Sequence, residues 1–81
     1  MTISIQFWSY FRELAGIHGG EFEVAPGGTV SDLLDVVSLR HPDLAPMRPS
    51  ALVAVGVEYA FPGQVLQPGD EVSLFPPVQG G

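Results

Sequence analysis

The sequence predicts an α+β domain in which a mixed sheet carries one main helix on one face, and three observations lead there. Two early segments alternate apolar and polar residues with the period of a strand: Ile3, Ile5 and Phe7 against Ser4, Gln6 and Trp8 in "TISIQFW" (2–8), then Phe22 and Val24 in "EFEV" (21–24). Val30, Leu33, Leu34 and Val37 then fall at i, i+3, i+4 and i+7, one apolar stripe of a helix. Beyond it, "ALVAVGV" (51–57) and "EVSLF" (71–75) read as strands again, so the helix sits between two groups of strands.

The elements follow in order. "YFRELAG" (10–16) holds helix formers and closes on Gly16, a short helix. "HGG" (18–20) reads as a turn into the second strand, which "APGG" ends. Thr29 is placed to cap the main helix with Asp32 at its third position, a capping box with the shorter acid. Asp32 near the start and Arg40 near the end both suit the helix dipole. His41-Pro42 stops the helix, because proline pushes the residue before it out of the α region. "HPDLAPMRPS" (41–50) is expected as a proline-rich loop, and the strongly apolar 51–57 as a strand central in the sheet. "EYAF" runs into a turn at Pro62-Gly63, and "QPGD" (67–70) makes another before the last strand. Two early strands, a helix across the sheet and later strands describe a β-grasp, the ubiquitin-like arrangement; the bare segmentation also permits a ferredoxin-like one. With 81 residues there is room for one core: a body over 1–75 and an extended tail over 76–81.

Composition removes several classes of function. A formal charge of −6 repels phosphate backbones and argues against nucleic acid, while suiting a basic partner surface. The absence of cysteine excludes disulfides, thiolate metal sites and iron–sulfur clusters, and fits a reducing compartment. No segment reaches the ~18 apolar residues of a membrane span, and the N-terminus has no basic leader, so the expectation is a cytoplasmic protein without membrane contact. The three cations are Arg12, Arg40 and Arg48; the lack of lysine reads as a compositional habit.

Parts for catalysis are few. His18 sits among glycines and His41 precedes a proline; neither is placed as a base. "APGGTVS" precedes a helix but has no P-loop lysine and no G-x-G-x-x-G spacing. The pairs Asp32 with Asp35 and Asp70 with Glu71 read as capping and turn chemistry, so no metal or cofactor of the chain's own is expected. What remains is a surface and a tail. If the first and last strands lie side by side, Trp8 and Phe75 share the face away from the helix, with Tyr59 as a neighbour and Arg12 at the rim, able to pair with a carboxylate. After Phe75, Pro76-Pro77 stiffen the chain, Val78-Gln79 continue it, and Gly80-Gly81 present a carboxylate with no side chain near it. Such a tip fits a narrow tunnel. It becomes an electrophile once adenylation supplies a leaving group.

"FRELAG", "TVSDLL", "VAVGVEYA" and above all "PGDEVSLFPPVQGG" resemble the small subunits of molybdopterin synthase, a family of ubiquitin-like sulfur carriers, over essentially the whole chain. That resemblance implies an E1-like adenylating enzyme that uses ATP on the Gly81 carboxylate, and a sulfurtransferase that turns it into a thiocarboxylate. It implies a large synthase subunit that receives Val78, Gln79, Gly80 and Gly81, in an assembly of two small and two large chains. There the sulfur would reach a cyclic pterin precursor during molybdenum cofactor biosynthesis. It also matches Trp8, Arg12, Tyr59 and Phe75 to positions that contact the large subunit. Family members often carry Asn where this chain has Gly56, a side chain that orders the following turn. A carrier for another pathway (thiamine, tRNA thiolation or cysteine synthesis) and a protein modifier or passive interaction module are the alternatives.

Overall fold

The alternation in the first segment becomes β1 (Thr2–Phe7), in which Ile3, Ile5 and Phe7 are buried and their neighbours exposed. The structure is a computed structural model that describes residues 1–77. α1 (Tyr10–Ala15) buries Phe11, and Gly16 closes it at φ 78°. β2 (Gly19–Glu23) begins earlier than expected: Gly19 and Gly20 are strand residues, not a turn. A Cβ at Gly19 would lie 2.3 Å from the Ile5 carbonyl oxygen, so glycine is what lets β2 approach β1 there.

α2 (Val30–Arg40) starts at the complete capping box. The Asp32 N–H donates to Thr29 Oγ1 at 3.2 Å and the Thr29 N–H donates to Asp32 Oδ2 at 2.9 Å. Thr29→Ala removes the acceptor; the expected loss is about 1 kcal/mol. It would be read as a lower urea midpoint at unchanged slope. The helix buries Val30, Leu33, Leu34 and Val37 against the sheet, as their spacing dictates.

The 41–50 stretch is not a loop but a succession of tight 3-10 turns, Pro42–Ser50. Pro42 occupies the start, where no N–H is needed, and Leu44 is drawn into the core at 3% exposure. Arg48 pins the segment to α2 by pairing with Asp35 and donating from Nη2 to the Ser31 carbonyl and hydroxyl oxygens, both at 3.0 Å. Arg40 lies over the Phe22 ring at 4.8 Å. Two of the three arginines thus serve the scaffold.

β3 (Leu52–Val55) turns through Gly56 at φ 62° into β4 (Glu58–Tyr59), and β5 (Glu71–Phe75) ends the described body. That positive φ is one that glycine reaches without strain, so the turn before Tyr59 forms with Gly56 in place. The strand order is β2-β1-β5-β3-β4, with β1 and β5 parallel and the other pairs antiparallel. This is a ubiquitin-like β-grasp with its helix on one face. The centre is therefore β5 rather than β3. The apolar run of β3 was misleading because both of its faces are apolar: Val53 joins the core, while half-buried Leu52 and the small, buried Ala54 stand on the other face beside Phe75 and Tyr59. Tyr59, expected near the end of that strand, stands on the separate two-residue β4. His41 ends α2 with its ring edge-on to Phe7 and Phe22, at 5.6 and 6.1 Å. Among the described residues no helix is long and apolar enough to cross a membrane.

Candidate functional site

The parallel pairing of β1 with β5 sets Gln6 opposite Ser73 and Phe7 opposite Leu74 on adjacent strands. The next residue, Trp8, lies just past the end of β1 rather than within it, and its N–H still donates to the Leu74 carbonyl at 3.1 Å. That bond extends the ladder by one rung and places the indole beside Phe75. The two rings stack at 5.7 Å between centroids and 13° between planes. The expected pairing of Trp8 with Phe75 is thus formed, and it stands at the root of Pro76-Pro77.

Arg12 comes to the same place from α1, but not to a carboxylate. Its Nε donates to the Phe7 carbonyl at 2.9 Å, and its guanidinium carbon lies 5.1 Å from the Trp8 ring centre. The backbone bond uses one donor and aims the fork, leaving the cation against the aromatic face. Across β5, Leu52 is the register partner of Phe75, and Ala54 stands between Ser73 and Tyr59. Tyr59 is 75% exposed and shares with Phe75 a shallow depression also lined by Ala54, Gly56 and Val57. Val57, which lines that depression, is 99% exposed and was not singled out in the sequence. Its signal was available: a valine directly after the turn glycine, where polar residues are usual.

Toward the other end the outer face turns acidic. Glu21 and Glu71 flank Ser4 in one cross-strand row. The surface is therefore polarised, with aromatics beside the exit of the chain and carboxylates away from it. Among the described residues no three histidine or acidic side chains gather into a metal-binding group. The predicted tail residues Val78, Gln79, Gly80 and Gly81 lie outside the described residues.

The sequence pattern of the ThiS family matches residues 5–81. The chain belongs to the ThiS family. The sulfur carrier subunit of molybdopterin synthase from Chlamydomonas reinhardtii is 34% identical to this ThiS-family chain over 83 residues, covering all of both. Its human namesake is 32% identical, over 98% of this chain and 93% of the other. The crystal structure of SAMP1 from Haloferax volcanii superposes with a TM-score of 0.89 at 29% identity, over the full length of both chains. What this ThiS-family chain offers is an exposed apolar face beside the Trp8–Phe75 stack, with Pro76-Pro77 following directly from it.

Proposed function

We propose that this chain is the sulfur carrier subunit of a molybdopterin synthase. The observation that carries the reading is the Trp8–Phe75 stack at the root of the Pro76-Pro77 stalk, in a chain of this family that runs on to Gly80-Gly81. A partner that grips the stack also fixes where the tail begins, which is what delivery of one terminal atom into a buried pocket requires.

The chemistry resides in the Gly81 carboxylate. One of its oxygens attacks the α-phosphorus of ATP on an E1-like activating enzyme, and pyrophosphate leaves. The outer sulfur of a persulfide presented by a sulfurtransferase then displaces AMP from the acyl carbon, and a second thiol attacks the donor's sulfur of the resulting acyl disulfide, which leaves the thiocarboxylate and a disulfide. The large subunit takes the tail, and the terminal sulfur forms a bond to carbon of a cyclic pterin precursor in place of an oxygen; water then cleaves the acyl–sulfur bond, so that the sulfur stays on the precursor and Gly81 returns to a carboxylate. The chain supplies position and the sulfur nucleophile. Net charge −6 and the acidic end of the outer face suit basic docking surfaces on these partners.

A second reading, protein modification through the same activated carboxylate, is favoured by the full-length likeness to SAMP1. Intact-mass measurement after incubation with an activating enzyme of the same source, ATP and a sulfide donor separates them. The expected result is replacement of one oxygen by sulfur on the carrier, followed by its loss to the precursor when the large subunit is added. Amide-linked conjugates to other proteins, with no thiocarboxylate, would overturn the carrier reading in favour of the modifier.

A further inference from the structure

The sheet has two edges, and they differ in length. β4 is two residues long, too short to template a pairing, while β2 presents five. The register of β2 with β1 fixes which way its backbone groups point. The Phe7 N–H donates to the His18 carbonyl at 2.8 Å and the Val24 N–H to the Met1 carbonyl at 2.9 Å, so the even-numbered residues of this segment bond to β1. The N–H and C=O groups of Gly19, Glu21 and Glu23 therefore point out of the sheet, and no strand among the described residues pairs with them. β5 ends two strands away, at the end of the sheet opposite Glu23, so this edge lies apart from the aromatic stack.

Exposed edges are commonly closed by lysine, proline, a bulge or a covering loop. β2 reads Gly-Gly-Glu-Phe-Glu instead. Its two outward side chains, Glu21 and Glu23, are exposed and of one sign. Glu23 accepts from the Thr2 hydroxyl and lies 3.8 Å from the Met1 amine, so the charge offered to a newcomer is chiefly that of Glu21. The helix side of the edge has another character. A Cβ at Gly20 would touch Ile17 Cδ1 at 3.9 Å, and Ile17 is 42% exposed. Half-buried Val36 stands one turn before Arg40, whose guanidinium already covers the Phe22 ring. One side of the edge is thus acidic and the other apolar.

We propose that the edge of β2 is a docking site for an extended segment of a partner protein in which basic and apolar residues alternate, and that this segment joins the sheet as a further strand. A strand laid against β2 turns its side chains to the two faces in alternation. Those opposite Glu21 and Glu23 share the acidic outer face, where lysine or arginine pairs with a carboxylate across the strands and another acid is repelled. Those opposite Gly20 and Phe22 turn to the helix side and meet Ile17 and Val36. The same charges exclude a second copy of this chain, because two β2 edges side by side would bring Glu21 and Glu23 of one against those of the other. Docking here leaves Trp8, Tyr59 and Phe75 uncovered, so one protein can hold the chain while its tail serves another. The inference stands apart from the choice between carrier and modifier.

The test uses the nitrogen-15-labelled chain and two capped peptides of one composition: Lys-Val-Lys-Val-Lys, which matches the five residues of β2, and Lys-Lys-Lys-Val-Val, in which the alternation is broken. The alternating peptide is expected to move the Glu21 and Glu23 amide signals downfield and to slow their exchange with solvent. The rearranged peptide should bind about tenfold more weakly. Two substitutions then separate backbone pairing from charge. Glu21→Pro removes an outward N–H and keeps the β1 ladder, which Gly20 and Phe22 make. Glu21→Lys keeps the N–H and reverses the charge. Each is expected to weaken the alternating peptide by about tenfold, in a chain whose Ile3 and Ile5 amide signals stay in place. Equal binding of the two peptides would reduce the effect to bulk charge and overturn strand addition. Unmoved Glu21 and Glu23 amides would do the same, and so would wild-type affinity in either variant. Edge amides that shift with the concentration of the chain alone would seat a second copy there and overturn the proposed occupant.

Discussion

Deleting Gly80 and Gly81 is expected to abolish sulfur transfer completely while leaving the body folded and docked. Among the described residues every buried core residue lies between Ile3 and Leu74, so the unfolding midpoint should hold. The deletion leaves Trp8, Tyr59 and Phe75 in place, and affinity for the large subunit should fall little. What disappears is the acyl carbon at the one position where a bare backbone can reach a partner's reacting centre. No other residue of the chain can substitute, because there is no cysteine to carry sulfur. The measurement is molybdopterin formed from precursor by the reconstituted synthase, with binding and thermal unfolding followed in parallel. Product formation by the truncated carrier would refute the tail mechanism. A loss of product together with a loss of binding would show that the tail contributes docking energy as well as chemistry.

Truncating the stack is the second large effect. Phe75 is half-buried, paired face to face with Trp8, flanked by Leu52 in the register of β3, and followed directly by Pro76. Large aromatic residues of this kind, at the centre of a face that a partner desolvates, carry a disproportionate share of binding energy. Phe75→Ala is expected to weaken large-subunit binding by about 2–4 kcal/mol, a loss of roughly 30- to 1,000-fold. Its cost to folding should be smaller than that of truncating the fully buried Phe7 or Phe11, where a cavity of about 3–5 kcal/mol would threaten a domain of this size. Titration calorimetry with the purified large subunit, alongside denaturant unfolding, separates the two. Affinity equal to wild type in a folded Phe75→Ala chain would remove the aromatic face from the interface.

How far the site could be read in advance depended on the kind of interaction. Thr29 with Asp32 and the apolar stripe of α2 are local patterns, fixed by residues three and four apart, and they appear as the spacing implies. The same holds for Ile3, Ile5 and Phe7, whose alternation leaves little freedom in which face is buried. Prolines misled where they were counted as breakers. In 41–50 their fixed φ suits tight 3-10 turns as well as a loop, and the choice between them rested on Leu44 reaching the core and Arg48 reaching α2, both remote in sequence. Arg12 was expected at the rim, able to pair with a carboxylate or to stand solvated. Its actual partners, the Phe7 carbonyl and the Trp8 ring, depend on the angle at which α1 leaves β1.

By itself the sequence determined the order of the main strands and of the main helix, the buried faces of β1 and α2, and the Gly80-Gly81 ending proposed to carry the chemistry, because these rest on period, capping and backbone restrictions that act over a few residues. Only the tertiary structure decided that β5 lies at the centre, that Trp8 stacks on Phe75 beneath the Arg12 guanidinium, and that Ser9 is held at positive φ to make that possible. The physical reason is that each of these is a compromise between segments far apart in the chain. A strand ladder joins residues 8 and 74, a helix begins before the ladder has ended, and the one residue between them takes the conformation that satisfies both.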